Sequence, residues 1–340
     1  MQDSCGMGTR VAIENALVGM KRMLATRLTS GMYGADAERA RSRIENLIEQ
    51  TVLGGKYERS RLLVDTYMSL DPEGDFDSAV QLSTSMELMQ SFFLVIDDVM
   101  DQSVTRRGKP CWYRQPGIGL GAINDGLLLD CTVDLIIRTA IPNHPNLNAI
   151  LAALAETKRK TVIGQMIDNS IESLSDCNWP RYAQLVEHKT SHYTYFCPVQ
   201  LAMILADVST NFSEARKICY DIGYLFQSQD DYLDVFGDET ITGKIGTDLK
   251  EGKCTWVTCR ALEKAPPEEA KILKEYFGKS DDESVDKLKA VVRELRIDED
   301  FQEFQTPFVM TLEDNIRKFP NVQLRPILMD AVKRIMNRKK

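Results

Sequence analysis

Two short acidic clusters are the residues of this 340-residue chain best suited to carry chemistry. Both have the spacing Asp-Asp-x-x-Asp within an apolar, helix-like run, and their members are Asp97, Asp98, Asp101, Asp230, Asp231 and Asp234. Residues four apart share a helix face, so each cluster directs its carboxylates out of one turn, where like charges repel. A hard divalent cation such as Mg²⁺ relieves this repulsion and commonly bridges carboxylates to substrate phosphates.

A solvated acidic surface is the alternative interpretation of such clusters. The flanking residues argue against it, because residues 92–96 and 232–236 are mostly apolar and because the pattern occurs twice. We therefore interpret the two clusters as two walls of one metal–polyphosphate site.

Basic residues lie downstream of both clusters, as a polyphosphate site requires. They are Arg106, Arg107, Lys244 and Lys253, and a further pair, Lys56 and Arg59, follows the Gly54-Gly55 break. Arginine and lysine bind phosphate oxygens through charge-assisted hydrogen bonds. Singly, each of these residues is more typical of a solvated surface charge, but together they favour a polyphosphate site.

Two aromatic residues precede the first cluster. Phe93 lies one helical turn before Asp97, and Phe92 is adjacent to it. A bulky floor beneath a metal site would limit the length of an apolar tail. Simple core packing is the alternative role for both rings.

Several polar residues interrupt otherwise apolar helical stretches. They are Gln165, Asp168, Gln227 and Asp231. Buried polar groups need hydrogen-bond partners, which leaves both a site-lining and a structural role open.

Helical periodicity dominates the chain, and no alternating strand pattern is present. The predicted helices cover residues 11–29, 37–53, 57–70, 77–101, 121–140, 146–173 and 211–236, with a further one that begins at Trp179-Pro180 and is interrupted or kinked at Pro198. Later breaks are expected at Pro266-Pro267, Gly278, Pro307 and Pro320. The pattern predicts an all-α helical bundle with ligand and metal sites between facing helices.

Composition limits the other possibilities. The net charge of −8 argues against nucleic-acid binding. The eight cysteines lack CxxC spacing, which is typical of free thiols in a reducing compartment. No apolar run reaches the length of about 18 residues that indicates a transmembrane helix. The basic, Ser- and Thr-containing N-terminus leaves open whether the protein is cytoplasmic or mitochondrial.

The ordered motifs resemble those of the trans-isoprenyl diphosphate synthase family, most closely the farnesyl diphosphate synthases of animals and fungi. The resemblance rests on Gly54-Gly55-Lys56-x-x-Arg59, on Gln90-x-Phe92-Phe93 before the first cluster, on Thr105-Arg106-Arg107-Gly108, Gly164-Gln165-x-x-Asp168 and Lys189-Thr190, and on Phe226-Gln227 before the second cluster, followed by Gly243-Lys244 and Lys253-Cys254. It covers residues 39–340, which predicts one synthase domain after an N-terminal segment of residues 1–38. It implies the prenyltransferase fold with a deep central cavity, and a homodimer.

The resemblance also implies roles for individual residues. Three Mg²⁺ ions, or Mn²⁺ in their place, would be held on the allylic diphosphate by Asp97, Asp98, Asp101 and Asp230, supported by Asp231 and Asp234. The allylic diphosphate would be bound by Arg106, Lys189 and Lys244, with Lys253 as a further substrate-binding residue. Isopentenyl diphosphate would be bound by Lys56, Arg59, Gln90 and Arg107. Thr190 and Gln227 would lie near the developing allylic cation, and Phe92 and Phe93 would stop elongation at farnesyl length.

The implied reaction condenses isopentenyl diphosphate with dimethylallyl or geranyl diphosphate to give farnesyl diphosphate. Several residues depart from the family pattern: Glu58, Ser60, Val162, His192 and Ser228. The alternative is therefore a terpene synthase of the same fold that ionises an allylic diphosphate and quenches or cyclises the cation without condensation. A catalytically inactive regulatory subunit is a third interpretation. The two intact acidic clusters argue against it.

Overall fold

The computed structural model describes residues 2–237 and 247–338. Nearly all of its elements are helices, which confirms the predicted all-α class. The chain forms two compact units: Met1–Leu154 with Pro198–Ser209, and Ala155–Cys197 with Thr210–Lys340. The boundary predicted after residue 38 stays a prediction.

The first unit is built on five complete helices. Their bounds are α1 Gln2–Leu28, α2 Gly34–Thr51, α3 Glu58–Leu70, α4 Phe76–Met100 and α5 Gly121–Ala140. Two further helices, α6 (Leu147–Asp168) and α8 (Cys197–Leu205), contribute residues to both units. Helix α1 packs against α2, α3 and α4 and buries Ile13, Leu17 and Leu24 completely or nearly so.

Helix α4 is the core of the first unit and carries the first acidic cluster at its end. Asp75 caps its N-terminus by accepting a hydrogen bond from the Ser78 N–H at 3.0 Å. Among the described residues, α4 is the one helix long and apolar enough to cross a membrane, and 67% of its apolar window is buried inside the protein. Leu82, Met86 and Leu88 are fully buried. Its apolar character is therefore that of a core helix.

A short hairpin follows α4, although no alternating strand pattern in the sequence marks it. Strand β1 (Thr105–Arg106) pairs antiparallel with β2 (Lys109–Pro110). The two turn residues, Arg107 and Gly108, have φ angles of 55° and 73°. Positive φ at both positions is the pattern of the tight two-residue turn that matches strand twist.

The second unit contains the remaining helices. A 3₁₀ turn covers Leu174–Asp176, and the helices that follow are α7 Trp179–Val186, a π-helical stretch Glu187–Phe196, α9 Phe212–Phe236, α10 Asp248–Glu251, α11 Trp256–Lys264, α12 Pro267–Tyr276, α13 Asp282–Glu294, α14 Ile297–Lys318 and α15 Leu324–Met336.

The π-helical stretch replaces the break predicted at Pro198. The helix widens at Glu187 and returns to α geometry at Cys197, so Pro198 lies in the first turn of α8. Proline lacks an N–H, and it lies where the π-helical pairing ends, one residue after the Cys197 N–H that donates to the His192 carbonyl. Two glycines permit close packing against this stretch: a Cβ at Gly164 would lie 2.7 Å from Lys189 Cα, and one at Gly223 would lie 2.5 Å from Ser191 Cα.

The break predicted at Pro307 is wrong. Helix α14 runs continuously from Ile297 to Lys318 with Pro307 inside it. Buried Phe301 on one side of the proline and Leu312 on the other anchor both halves. This packing outweighs the one intrahelical hydrogen bond that proline removes.

Candidate active site

The first acidic cluster lies in the last turn of α4. Asp101 caps the helix, and its N–H donates to the Asp97 carbonyl at 2.8 Å. Asp98 is 4% exposed. Arg106 donates to Asp98 Oδ1 through Nε at 3.0 Å and through its terminal amino group at 2.5 Å, and it reaches Asp97 Oδ2 at 3.5 Å. The buried carboxylate of this cluster is thus paired with an arginine.

The hairpin explains how Arg106 reaches the cluster. Arg106 is the last residue of β1, directly before the tight turn. Burial lowers the pKa of its guanidinium, but the hydrogen bond to Asp98 and the charges of Asp98 and Asp97 raise that pKa above its usual value. Arg106 therefore remains charged next to the carboxylates.

The second cluster lies near the end of α9, and its central carboxylate is also buried. Asp231 is 3% exposed. It accepts the Trp256 backbone N–H at 2.9 Å and the Gln227 side-chain amide at 2.8 Å. Burial raises the pKa of Asp231 to about 7, although both hydrogen bonds lower it.

The other two carboxylates of the second cluster are more accessible. Asp230 has a side chain 38% exposed, and the Arg338 guanidinium lies 3.4 Å from it. The same guanidinium lies 3.9 Å above the Phe226 ring, a cation–π contact. Asp234 accepts the backbone N–H of Asp248 at 2.9 Å and that of Thr247 at 3.4 Å.

The donor chemistry of both clusters fits Mg²⁺. Each offers carboxylate oxygens at a helix C-terminus, where the helix dipole is negative and favours a cation. Within residues 2–237 and 247–338, no three His, Cys, Asp or Glu side chains are arranged to hold a metal ion on their own. Mg²⁺ does not require such a cage, because it usually keeps water and substrate phosphates among its ligands. The more accessible oxygens are those of Asp97, Asp101, Asp230 and Asp234.

Two predicted substrate lysines converge on one buried carboxylate. Lys189 and Lys253 donate to the same oxygen of Asp168, at 2.5 Å and 3.0 Å. Burial raises the pKa of Asp168, but the two ammonium groups have the larger effect and bring that pKa below its usual value. The sequence flagged Asp168 only as a polar residue in an apolar helix, and its partners identify it as the anchor of both lysines.

Thr190 and Gln227 are joined by a hydrogen bond. This fits the prediction that both lie near the same reacting carbon. The Thr190 hydroxyl donates to Gln227 Oε1 at 2.6 Å. Gln227 in turn donates to Asp231, so the π-helical stretch and α9 are joined by side-chain hydrogen bonds.

The predicted isopentenyl diphosphate residues all belong to the first unit. Lys56 and Arg107 are exposed, and Arg59 and Gln90 are partly buried. A cavity of about 100 Å³ is lined by Gly54 and Arg107 as well as by Asp98 and Arg106. The structure thus brings part of this group next to the first acidic cluster.

Glu87 is an ionisable residue that the motif analysis missed. It is 2% exposed and accepts a hydrogen bond from Ser60 Oγ at 2.8 Å. Burial raises its pKa, and the positive charges of Arg59 and Arg107 lower it in part. The sequence feature that could have identified Glu87 is a single glutamate within an otherwise apolar helix.

The two phenylalanines pack against each other and are only partly buried. Their ring centroids are 4.9 Å apart at an angle of 40°. Phe92 also lies near Gly126 of α5, where a Cβ would come within 3.7 Å of its ring.

Lys244 lies outside the described residues. Arg338, beside Asp230, gave no sequence signal beyond its basic C-terminal neighbourhood.

Comparison with known proteins decides the family. The sequence matches polyprenyl synthetase over residues 41–295. The chain belongs to the polyprenyl synthetase family. This polyprenyl synthetase is 35% identical over 314 residues to farnesyl pyrophosphate synthase of Zea mays, covering 89% of this chain and 90% of the relative. It is 36% identical over 311 residues to that of Rattus norvegicus, covering 88% of each.

Solved structures agree with this assignment. The polyprenyl synthetase is similar to a T. brucei farnesyl diphosphate synthase complexed with a bisphosphonate, with a TM-score of 0.88, 26% identity and coverage of 100% of both chains.

Proposed function

We propose that this polyprenyl synthetase is a Mg²⁺-dependent prenyltransferase that condenses isopentenyl diphosphate with dimethylallyl or geranyl diphosphate to give farnesyl diphosphate. The observation that carries the proposal is the preservation of both acidic clusters, each with an arginine against it: Arg106 at Asp98 and Arg338 at Asp230. The relatives named farnesyl pyrophosphate synthase support the same product.

Bound Mg²⁺ would neutralise the diphosphate leaving group and so weaken its bond to the allylic carbon. Asp97, Asp98, Asp101 and Asp230 are the ligands we propose, with Asp231 and Asp234 in support. Arg106, Lys189, Lys244 and Lys253 would bind the allylic diphosphate oxygens. Lys56, Arg59, Gln90 and Arg107 would bind and orient isopentenyl diphosphate.

The remaining residues would control the cation. Thr190 and Gln227 would line the reacting carbon, and the apolar walls would exclude the water that otherwise quenches it. The double bond of isopentenyl diphosphate attacks the allylic carbon, and the departing diphosphate takes the proton that is then lost.

Terpene formation is the second candidate, and the surroundings of Arg59 favour it. Glu58 begins α3 next to Arg59, and Ser60 Oγ binds the buried Glu87 carboxyl. Glu58 places an additional negative charge next in the chain to Arg59, one of the proposed isopentenyl diphosphate residues. Loss of condensation with retention of ionisation would follow if that charge prevents binding of the second diphosphate.

A paired product assay distinguishes the two candidates. Purified protein with Mg²⁺ is given geranyl diphosphate and isopentenyl diphosphate in one reaction, and farnesyl diphosphate alone in the other. Farnesyl diphosphate from the first reaction supports the synthase. Volatile hydrocarbon or alcohol from the second, without elongation in the first, supports the terpene synthase, and Glu58→Asn is then the variant expected to restore elongation.

Phe93 provides a test of product length. Phe93→Ala removes a partly buried ring one turn below Asp97, and the space it leaves should admit longer prenyl chains. We expect a shift from farnesyl to longer products, measured by chromatography of the dephosphorylated alcohols. Phe196→Ala, a buried aromatic change outside the proposed site, is the control. Identical product profiles in Phe93→Ala and the wild type would assign Phe93 to core packing.

We further propose that the protein is a homodimer in the cytoplasm. The family resemblance supports the dimer, as do Leu120, directly before α5, and Ile123 and Leu127 of α5, which are 73%, 43% and 53% exposed. Such an apolar row is typical of a protein–protein interface. Sedimentation of the wild type and of Leu127→Glu tests it.

A further inference from the structure

Three buried thiols lie together in the second unit. Cys177, Cys254 and Cys259 are 5%, 2% and 3% exposed. The sulfur atoms of Cys254 and Cys259 are 3.7 Å apart. Cys177 interacts electrostatically with Cys254, which is therefore the shared member of the cluster.

Across the described part of the chain, no three His, Cys, Asp or Glu side chains are placed to hold a metal ion together. Neighbouring thiols can instead be oxidised to a disulfide. An S–S bond is about 2.05 Å long, so closure requires the two sulfur atoms to approach by less than 2 Å or so.

Cys254 is the more reactive thiol of the pair. Hydrogen bonds from Cys177 and Cys259 lower its pKa, although burial raises it. The hydrogen bond with Cys254 and burial both raise the pKa of Cys259. Because the thiolate is the nucleophile, Cys254 is the sulfur that attacks an oxidant first.

The cluster is connected directly to the candidate active site. Cys254 follows Lys253, which donates to Asp168 at 3.0 Å. Thr255 caps α11 by accepting the Thr258 N–H at 3.1 Å. The next residue, Trp256, donates its backbone N–H to Asp231. Movement of Cys254 therefore acts on both the lysine pair and the second acidic cluster.

We propose that Cys254 and Cys259 form a reversible disulfide under peroxide, and that this bond inhibits the enzyme by displacing Lys253 and Trp256. The inhibition rests on the proposed function, whereas formation of the disulfide does not.

The oxidation balances with hydrogen peroxide as the oxidant. The Cys254 thiolate attacks one peroxide oxygen, the O–O bond breaks, and hydroxide leaves, which gives a sulfenic acid. The Cys259 sulfur then attacks the sulfenic sulfur, the S–O bond breaks, and the departing hydroxide takes the Cys259 proton as water. Both sulfurs are oxidised, both peroxide oxygens are reduced, and a thiol reductant reverses the change. Burial makes the first step slow, and peroxide, little larger than water, needs only a local opening.

Mass spectrometry tests the bond itself. The full-length protein is treated with peroxide, quenched with catalase, denatured with iodoacetamide and digested with trypsin. Cleavage after Lys253 and Arg260 places both cysteines in one peptide, residues 254–260. We expect this peptide to resist alkylation and to be lighter than its dithiol form by two hydrogen atoms. The exposed Cys131 reports that the oxidant acted. Full alkylation of residues 254–260 while Cys131 is oxidised overturns the proposal, as does a cross-link of Cys254 to Cys177.

Activity measurements test the consequence. Oxidised wild type should lose most of its prenyltransferase activity and regain it with dithiothreitol. Cys259→Ser should keep its activity through the same treatment, whereas Cys219→Ser, a fully buried cysteine elsewhere in the unit, should behave as wild type. A disulfide that forms without loss of activity overturns the inhibition. Absence of activity before oxidation would instead contradict the proposed function, and the peptide measurement would still decide whether the bond forms.

Discussion

At the scale of single residues, the two acidic clusters share one pattern of burial. In each, the second aspartate is buried and held by neighbours: Asp98 by Arg106, and Asp231 by Trp256 and Gln227. The first aspartate is more exposed, with 21% of the Asp97 side chain and 38% of the Asp230 side chain accessible. The second aspartate of each cluster is thus held in place by its neighbours, and the first leaves more of its carboxylate accessible to a ligand.

Removing an exposed member should therefore abolish activity without unfolding the protein. We expect Asp97→Ala or Asp230→Ala to lower turnover by at least about 100-fold, the order of magnitude for losing one preorganised electrostatic contact in a transition state. Steady-state kinetics with Mg²⁺ and circular dichroism provide the measurements. Asp134→Ala, which removes an exposed carboxylate from the Asp134–Arg138 pair of α5, is the matched control. Near-wild-type turnover in either cluster variant would contradict the metal-site interpretation.

Asp168 should contribute to stability in a pH-dependent manner. Its pKa is lowered in the folded state, so its contribution is present above the unfolded pKa of about 3.9 and is lost as the pH falls below that value. Asp168→Asn leaves the ammonium groups of Lys189 and Lys253 without their carboxylate, and should cost about 2–4 kcal/mol at neutral pH.

Urea unfolding at neutral and acidic pH measures this contribution. The difference between Asp168→Asn and wild type should shrink as the pH is lowered. Asp134→Asn, in an exposed ion pair, should cost less than about 1 kcal/mol at either pH. A difference for Asp168→Asn that stays constant with pH would show that lost packing, and not charge, is responsible.

At the scale of elements, helix periodicity together with proline and glycine breaks predicted most helix positions, and the misses have physical causes. The π-helical stretch depends on the close approach that Gly164 and Gly223 permit, a tertiary effect that periodicity cannot report. The hairpin at Arg107-Gly108 was not predicted, because two-residue strands carry no alternating pattern. Pro307 was predicted to end a helix, but the buried residues around it in α14 outweigh local propensity.

The contact at Gly223 allows a direct test of the close packing. Gly223→Ala would place a methyl group 2.5 Å from Ser191 Cα and Cβ, so the π-helical stretch must move. We expect a loss of about 1–3 kcal/mol in the free energy of unfolding, typical of overpacking. Chemical denaturation provides the measurement, with Gly19→Ala as the control, since a Cβ there meets nothing within 4 Å. Equal stability of the two variants would mean that the packing tolerates a methyl group.

At the scale of the whole molecule, ligand binding should stabilise the fold only when Mg²⁺ and diphosphate are both present. Inorganic diphosphate with Mg²⁺ should raise the melting temperature, because a ligand at 100 times its Kd adds about 2.7 kcal/mol to the free energy of unfolding. Diphosphate alone should have little effect, because the carboxylates repel it.

Differential scanning fluorimetry checks this expectation. Asp97→Ala should abolish the shift, and Asp134→Ala should retain it. A shift of the same size without Mg²⁺ would point to binding by the basic residues alone.

The hydrogen-bond series from Trp256 to Thr190 has one polarity when Asp231 is ionised. The carboxylate then accepts from the Trp256 backbone amide and from the Gln227 side-chain amide, which turns the Gln227 oxygen towards Thr190. The single hydroxyl hydrogen of Thr190 is therefore committed inward. What this side chain offers on its other side is lone-pair electron density without a proton to give. Such a group can attract a positively charged carbon but cannot act as an acid towards it, and its orientation depends on Gln227 and Asp231.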